Sequence, residues 1–91
     1  MKQFIHRITD PNGMHARPAG MLATYAKRFD AQILVKANGK EADAKRLLSL
    51  MSLGATYRTE LCFCISGENE DQVAAQLERF CREEWDRAEQ K

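Results

Sequence analysis

The spacing of apolar residues along the chain alternates between the period of two that is typical of strands and the period of about 3.6 that is typical of helices. Four runs favour strands and three favour amphipathic helices. The predicted strands are Lys2–Ile8, Gln32–Ala37, Lys40–Ala42 and Glu60–Ser66, and the predicted helices are Ala19–Phe29, Leu47–Leu53 and Glu70–Trp85. This order, β-α-β-β-α-β-α, predicts an α+β fold with two layers, in which helices cover one face of a sheet.

Short turn-forming sequences between these runs predict where the chain turns. The spacing of apolar residues within the runs predicts which side chains form the core. Asn38-Gly39 is typical of a two-residue hairpin, because a type I′ turn needs positive φ at both positions. Gly54 is expected to end the second helix as its C′ residue. The predicted core positions are Ala19, Leu22, Ala23, Ala26 and Phe29 in the first helix, Leu61, Phe63 and Ile65 in the last strand, and Val73, Leu77, Phe80, Cys81 and Glu84 or Trp85 in the last helix.

The second helix has more apolar residues than a sheet can cover. Its apolar arc spans about 220°, whereas packing on a sheet needs little more than about 100°. Leu50 and Leu53 are expected to face the core. Leu47, Leu48 and Met51 are then expected to be exposed, and exposed apolar patches tend to be docking sites. The alternative is that these three side chains are buried more deeply than the periodicity indicates.

Length and charge limit the classes of function. Ninety-one residues suit one domain, 1–91, with a charged tail at 86–91 that is expected to fray. A net charge of +1 and the lack of a basic stripe argue against nucleic-acid binding. No apolar run approaches the roughly 20 residues that span a bilayer, so no direct membrane insertion is expected. No signal-peptide pattern is visible at the N-terminus, and a cytoplasmic protein is expected.

The three cysteines and His6 have side chains that can bind metals, but their spacing in the sequence is not that of a metal site. Cys62 and Cys64 share one face of a predicted strand, and Cys81 lies on the last helix. No further His or Cys completes a zinc-type set, so we expect the thiols to serve as small apolar side chains. His6 is expected to have a structural or solvent-facing role. The sequence therefore predicts no metal and no cofactor.

The most informative stretch is Gly-Met-His-Ala-Arg-Pro, which begins at Gly13. It follows the turn-forming Asp10-Pro11-Asn12-Gly13 and places His15 where a helix begins, with Pro18 in the first turn. The first N–H groups of a helix lack intrahelical partners and favour anions, phosphate above all. Arg17 adds a guanidinium suited to phosphate oxygens. The arrangement indicates an imidazole nucleophile beside a phosphate site, and the alternative is a histidine that only caps the helix.

This stretch closely resembles the active-site signature of the HPr family, the histidine phosphocarriers of the bacterial phosphoenolpyruvate:sugar phosphotransferase system. The resemblance runs from Gly13-Met14-His15-Ala16-Arg17-Pro18-Ala19 through Lys45, Leu47, Leu50, Leu53-Gly54 and Gly67-Glu68-Asn69-Glu70. It covers nearly the whole chain without an obvious gap. It implies a four-stranded antiparallel sheet under three helices, which agrees with the predicted element order.

The resemblance also implies a carrier rather than an enzyme, with partner phosphotransferases on either side of it. Enzyme I, charged by phosphoenolpyruvate, would phosphorylate His15 on Nδ1, and a sugar-specific IIA domain would accept the group. The backbone N–H groups of Ala16 and Arg17, with the Arg17 side chain, would hold the phosphoryl oxygens. Asn12 is a further candidate, for orienting the imidazole. The carrier is expected to be a monomer.

Both partners would dock around His15. The expected contact patch is Gly20, Leu47, Leu48 and Met51, ringed by Arg17, Lys27 and Arg46. Many Gram-positive HPr proteins have a regulatory serine where this chain has Arg46, so that control is not expected here. A regulatory paralogue, of the nitrogen type or linked to dihydroxyacetone kinase, remains an alternative to a transport carrier. A third possible function is that of a binding module that transfers no phosphoryl group.

Overall fold

The computed structural model describes residues 1–85, and it has the predicted order of strands and helices. The strands are β1 (Lys2–Arg7), β2 (Gln32–Ala37), β3 (Lys40–Asp43) and β4 (Glu60–Ser66); the helices are α1 (Ala16–Ala26), α2 (Leu47–Met51) and α3 (Glu70–Phe80), and α3 continues into a π-helical turn, Cys81–Trp85. The α+β class is therefore confirmed. The tail predicted at 86–91 lies outside the described residues.

The four strands form one antiparallel sheet with the order β1-β4-β2-β3. The last strand of the chain therefore lies between the first two, and Phe63 of β4 pairs with Phe4 on one side and with Val35 on the other. The Phe4 and Phe63 rings stack with their centroids 4.7 Å apart. The inward residues of β4 are fully buried, as the alternation predicts. The helices cover this face of the sheet.

The helix boundaries differ from the predictions at both ends of α1. The apolar pattern predicted a start at Ala19, but the helix begins at Ala16. This start agrees with the other prediction, that His15 precedes the helix and Pro18 lies in its first turn, where the missing N–H costs no hydrogen bond. It ends at Ala26, and the following N–H groups of Arg28 and Phe29 bond to carbonyls three residues back. Phe29 thus lies beyond the helix, half-buried against the core.

The other two helices also end differently from the predictions. The α-helical part of the second helix stops at Met51, and Gly54 has the positive φ (65°) expected of a C′ residue. In a continuous α-helix, position 84 would fall in the middle of the apolar stripe of the last helix and position 85 at its edge. The wider π-helical turn rotates Trp85 into the core, where it is 1% exposed, and leaves Glu84 in solvent.

The cysteines lie in packed surroundings and are free thiols. Cys64 is buried on the outer side of the sheet, with its Sγ 3.9 Å from that of Cys62, and burial raises the pKa of the Cys64 thiol. Within residues 1–85, no three potential ligands cluster as a metal site would require. No helix in the same range is long and apolar enough to cross a membrane.

Candidate functional site

The loop before α1 is held in one conformation by a tight turn. The N–H of Gly13 donates to the carbonyl of Asp10 (2.9 Å), and the N–H of Asn12 donates to the Asp10 side-chain oxygen Oδ1 (2.8 Å). Gly13 has φ +73°, and a Cβ at this position would lie 2.6 Å from the carbonyl oxygen of Ala55. Only glycine fits both conditions. The N–H of Met14 then bonds to the same Ala55 carbonyl (3.0 Å), which fixes the loop to the segment after α2.

His15 follows this turn as the N-cap residue of α1. Its backbone is extended, and its carbonyl accepts the first helical hydrogen bond from the N–H of Ala19 (3.1 Å). Its side chain makes no capping hydrogen bond to the helix. The His15 imidazole therefore does not cap the helix and is directed to another partner.

That partner is Asp10, whose side-chain oxygen Oδ2 lies 2.8 Å from Nε2 of His15. Asp10 is the only polar or charged residue buried within residues 1–85, whereas the His15 side chain remains 38% exposed. Burial opposes ionisation of Asp10, but the N–H of Asn12 and the imidazole of His15 outweigh it. The pKa of Asp10 therefore lies below its ordinary value. The site thus combines an ionised carboxylate with a solvent-accessible imidazole.

The contact with Asp10 corrects the expectation that Asn12 orients the imidazole. Nothing within residues 1–85 links the Asn12 side chain to His15, and the exposed Asn12 acts instead through its backbone N–H on Asp10. The physical reason is that the turn places position 10, rather than position 12, beside the ring. The sequence did contain a signal for Asp10, since aspartate often bonds to the N–H two residues on.

The end of α1 next to His15 has unpaired hydrogen-bond donors. In the described part of the chain, no acceptor is seen for the N–H groups of Ala16 and Arg17, and Pro18 has no N–H. Ala16 and Arg17 are both exposed. Together with the partial positive charge of the helix terminus and the guanidinium of Arg17, these donors make a site suited to a phosphoryl group. The geometry therefore brings together an imidazole and donors for an anion.

A surface of exposed apolar residues lies on α2, the helix that packs beside α1. Leu47, Leu48 and Met51 are 39%, 78% and 38% exposed, as the width of the apolar arc predicts, while Leu50 is fully buried. The alternative of deeper burial is therefore wrong. We call Leu47, Leu48 and Met51 the α2 patch.

The remaining predicted contact residues occupy different places. Gly20 is half-buried on α1 with open space where a Cβ would project. Arg46 is exposed at the N-cap of α2. Lys27 is the C-cap of α1, so it lies about 18 Å from His15 along the helix axis at 1.5 Å per residue. Lys27 therefore lies at the opposite end of α1 from the His15 imidazole.

One further residue supports the site without being predicted to do so. The Nε1–H of Trp85 donates to the carbonyl of Pro18 (2.9 Å) in the first turn of α1. The sequence placed either Glu84 or Trp85 in the core stripe, and periodicity indicates only a face and not a hydrogen-bond partner. A buried tryptophan usually has a partner for its N–H, and that general rule was the available signal.

Known proteins are similar to this chain over nearly its whole length. The family model described as "PTS HPr component phosphorylation site" matches residues 2–83. The phosphocarrier protein HPr of Buchnera aphidicola is 38% identical over 74 residues, which cover 81% of this chain and 87% of the relative. HPr of Mycoplasma genitalium is 37% identical over 78 residues, which cover 85% of this chain and 89% of that protein.

Solved structures with similar folds belong to the same group. HPr-C-His from Thermoanaerobacter tengcongensis superposes with a TM-score of 0.80 at 30% identity, covering 88% of this chain and 90% of that one. The Bacillus subtilis catabolite repression protein Crh superposes with a TM-score of 0.70 at 31% identity, covering 92% of this chain and 97% of Crh. The fold is thus shared with HPr proteins and with Crh.

Proposed function

Because the chain belongs to the HPr family of phosphocarriers of the phosphotransferase system, we propose that it accepts a phosphoryl group from Enzyme I on His15 and passes it to a IIA domain. The observation that supports this most directly is the partly exposed imidazole of His15 beside the unpaired N–H groups at the start of α1. Proteins of this family carry phosphoryl groups and are not catalysts in themselves. The proposed function therefore requires both Enzyme I as the phosphoryl donor and a IIA domain as the acceptor.

The proposed transfer is a direct exchange between nitrogen atoms. Nδ1 of His15 attacks the phosphorus of a phosphohistidine on Enzyme I, a new N–P bond forms, and the old N–P bond breaks with its electron pair left on the donor's nitrogen. The N–H groups of Ala16 and Arg17 and the Arg17 guanidinium hold the phosphoryl oxygens meanwhile. These donors are solvent-exposed. They can therefore hold the group without trapping it.

The proposed docking surface combines the α2 patch with Gly20. Its apolar side chains are exposed, and Arg17, Arg46 and the more distant Lys27 give the rim a positive charge. A partner with an apolar surface and acidic surroundings would complement it. Charges at the edge of a docking surface mainly increase the rate at which the two proteins associate.

A regulatory role is the second candidate, because the fold is also similar to that of the Bacillus subtilis catabolite repression protein Crh. In that role the phosphorylation state of His15 would control binding to another protein. Arg46 has no hydroxyl to phosphorylate, so serine phosphorylation at that position is not part of either proposal.

We propose that the chain acts as a single domain and a monomer in the cytoplasm, where phosphoenolpyruvate is available. β1 pairs with β4 of its own chain along its whole length, from Lys2 to Arg7. The alternative state is a domain-swapped dimer, as in the Crh crystal structure. Light scattering at micromolar concentration distinguishes the two states.

The test of the proposed function has two stages. Phosphoenolpyruvate and Enzyme I are added first, and the phosphorylated chain is then isolated and mixed with a panel of IIA domains. Transfer to a IIA domain supports the transport role. A phosphorylated chain that transfers to no IIA domain but changes its affinity for another protein supports the regulatory role. The His15→Ala variant should do neither.

A further inference from the structure

We propose that Asp10 is a positioning residue that keeps the proton of the His15 imidazole on Nε2 and so leaves Nδ1 as the nucleophile. This inference rests on the proposed function for its meaning, but its main test does not depend on phosphoryl transfer. Asp10 touches neither the phosphoryl group nor the reacting nitrogen, and it would act only through the ring.

The two oxygens of the Asp10 carboxylate have separate partners. Oδ1 accepts the backbone N–H of Asn12 (2.8 Å), and Oδ2 lies 2.8 Å from Nε2 of His15. The first contact fixes the carboxylate to the turn, and the turn is itself fixed by the close approach of Gly13 to Ala55. The imidazole is therefore held by a group that has little freedom to move.

The proton position follows from the charge of this carboxylate. The pKa of Asp10 lies below its ordinary value, so the group is ionised at neutral pH and has no proton to donate. An ionised carboxylate only accepts hydrogen bonds. The contact of 2.8 Å therefore requires an N–H on Nε2. A neutral imidazole has only one N–H, so its lone pair is on Nδ1.

The contact between Asp10 and the His15 ring also stabilises the ring after it has accepted the phosphoryl group. When Nδ1 forms its bond to phosphorus, the ring becomes a cation whose proton is still on Nε2, beside the negative Asp10. When the group leaves for an acceptor, the N–P bond breaks and the electron pair returns to Nδ1. No proton leaves Nε2 in either direction. Asp10 thus faces the ring when its positive charge is largest, which stabilises the phosphorylated form.

Two substitutions at position 10 distinguish positioning from mere support of the turn. In Asp10→Asn, the amide oxygen is expected to stay on the N–H of Asn12, so the amide NH₂ faces Nε2 and donates to it. That contact forces the proton onto Nδ1, the wrong tautomer for attack. Asp10→Ala removes the contact and leaves both tautomers accessible. A positioning role therefore predicts that the near-isosteric Asn variant is the slower of the two.

The experiment measures the ¹⁵N chemical shifts of the imidazole nitrogens at neutral pH in the chain and in both variants. His6, the other histidine, serves as an internal reference in every spectrum. We expect a protonated Nε2 in the unchanged chain, a protonated Nδ1 in Asp10→Asn, and a mixture in Asp10→Ala. A protonated Nδ1 or an even mixture in the unchanged chain would overturn the proposal.

Phosphorylation rates with Enzyme I give the second readout. The loss of a hydrogen bond to a charged group predicts a rate about 10- to 100-fold lower in Asp10→Ala and lower still in Asp10→Asn. An Asn variant as fast as the unchanged chain would refute a positioning role. If His15 is not phosphorylated in any form, the proposed function fails, while the imidazole shifts still decide whether Asp10 fixes the tautomer.

Discussion

The indole N–H of Trp85 donates a buried hydrogen bond of 2.9 Å to the carbonyl of Pro18, and so ties the end of the last helix to the first turn of α1. Pro18 lies three residues after His15. The Trp85 ring also lies 5.6 Å from the ring of His6 on β1. The start of α1 is therefore held by the π-helical turn, which is far away along the chain, while the His15 imidazole is held by the nearby turn at Asp10.

We expect Trp85→Phe to lower the free energy of unfolding by about 1–3 kcal/mol, because the aromatic ring is largely kept while the buried carbonyl loses a partner. Urea unfolding measures the change. Tyr57→Phe is the matched control, since Tyr57 is 50% exposed and the loss of its hydroxyl should cost little. Equal stabilities for the two variants would show that the indole hydrogen bond contributes nothing.

Gly20→Ala should raise the free energy of unfolding by about 0.5–1 kcal/mol, because glycine inside a helix is less favourable than alanine and open space surrounds this position. If Gly20 lies in the docking surface, the added methyl group should also raise KM for Enzyme I. Thermal unfolding and steady-state kinetics on the same samples give both values. An unchanged KM in the stabilised variant would remove Gly20 from the proposed contact surface.

Leu48→Gln should raise KM for Enzyme I several-fold and leave stability within about 0.5 kcal/mol, because Leu48 is 78% exposed on the α2 patch. Ile5→Thr is the control, since Ile5 is 62% exposed on β1, away from α2. Kinetics and urea unfolding are measured for both. A similar KM for the two variants would place the docking surface elsewhere.

The ionised Asp10 should make stability depend on pH in acid. Its pKa in the folded chain lies below the ordinary value of 3.8, so its contribution is present above that value and is lost as the pH falls through the folded pKa. Asp10→Asn removes this contribution. Urea unfolding at pH 6 and near pH 3 should show a smaller loss of stability in the variant than in the unchanged chain. Equal losses would contradict the lowered pKa.

The features that the sequence predicted well depend on local rules. Asn38 and Gly39 have φ values of 54° and 74°, as a type I′ turn requires. Leu48 is exposed because a five-residue helix cannot turn every apolar side chain towards one sheet. Such features follow from the preferences of a few neighbouring residues.

The features that the sequence did not predict depend on which parts of the chain meet. Asp10 faces His15 only because Gly13 lets the turn pack against Ala55, which is far away in sequence. Trp85 rather than Glu84 is buried because a π-helical turn shifts the helical phase. Periodicity assumes a constant 3.6 residues per turn, so it left these two positions undecided.

The most direct test of the central claim is the intact mass of the chain after incubation with phosphoenolpyruvate and Enzyme I. We expect one added phosphoryl group that is lost in acid, is absent from His15→Ala and is retained in His6→Gln, the matched control at the chain's second histidine. An acid-stable group, or an acid-labile group that persists in His15→Ala, would contradict the account.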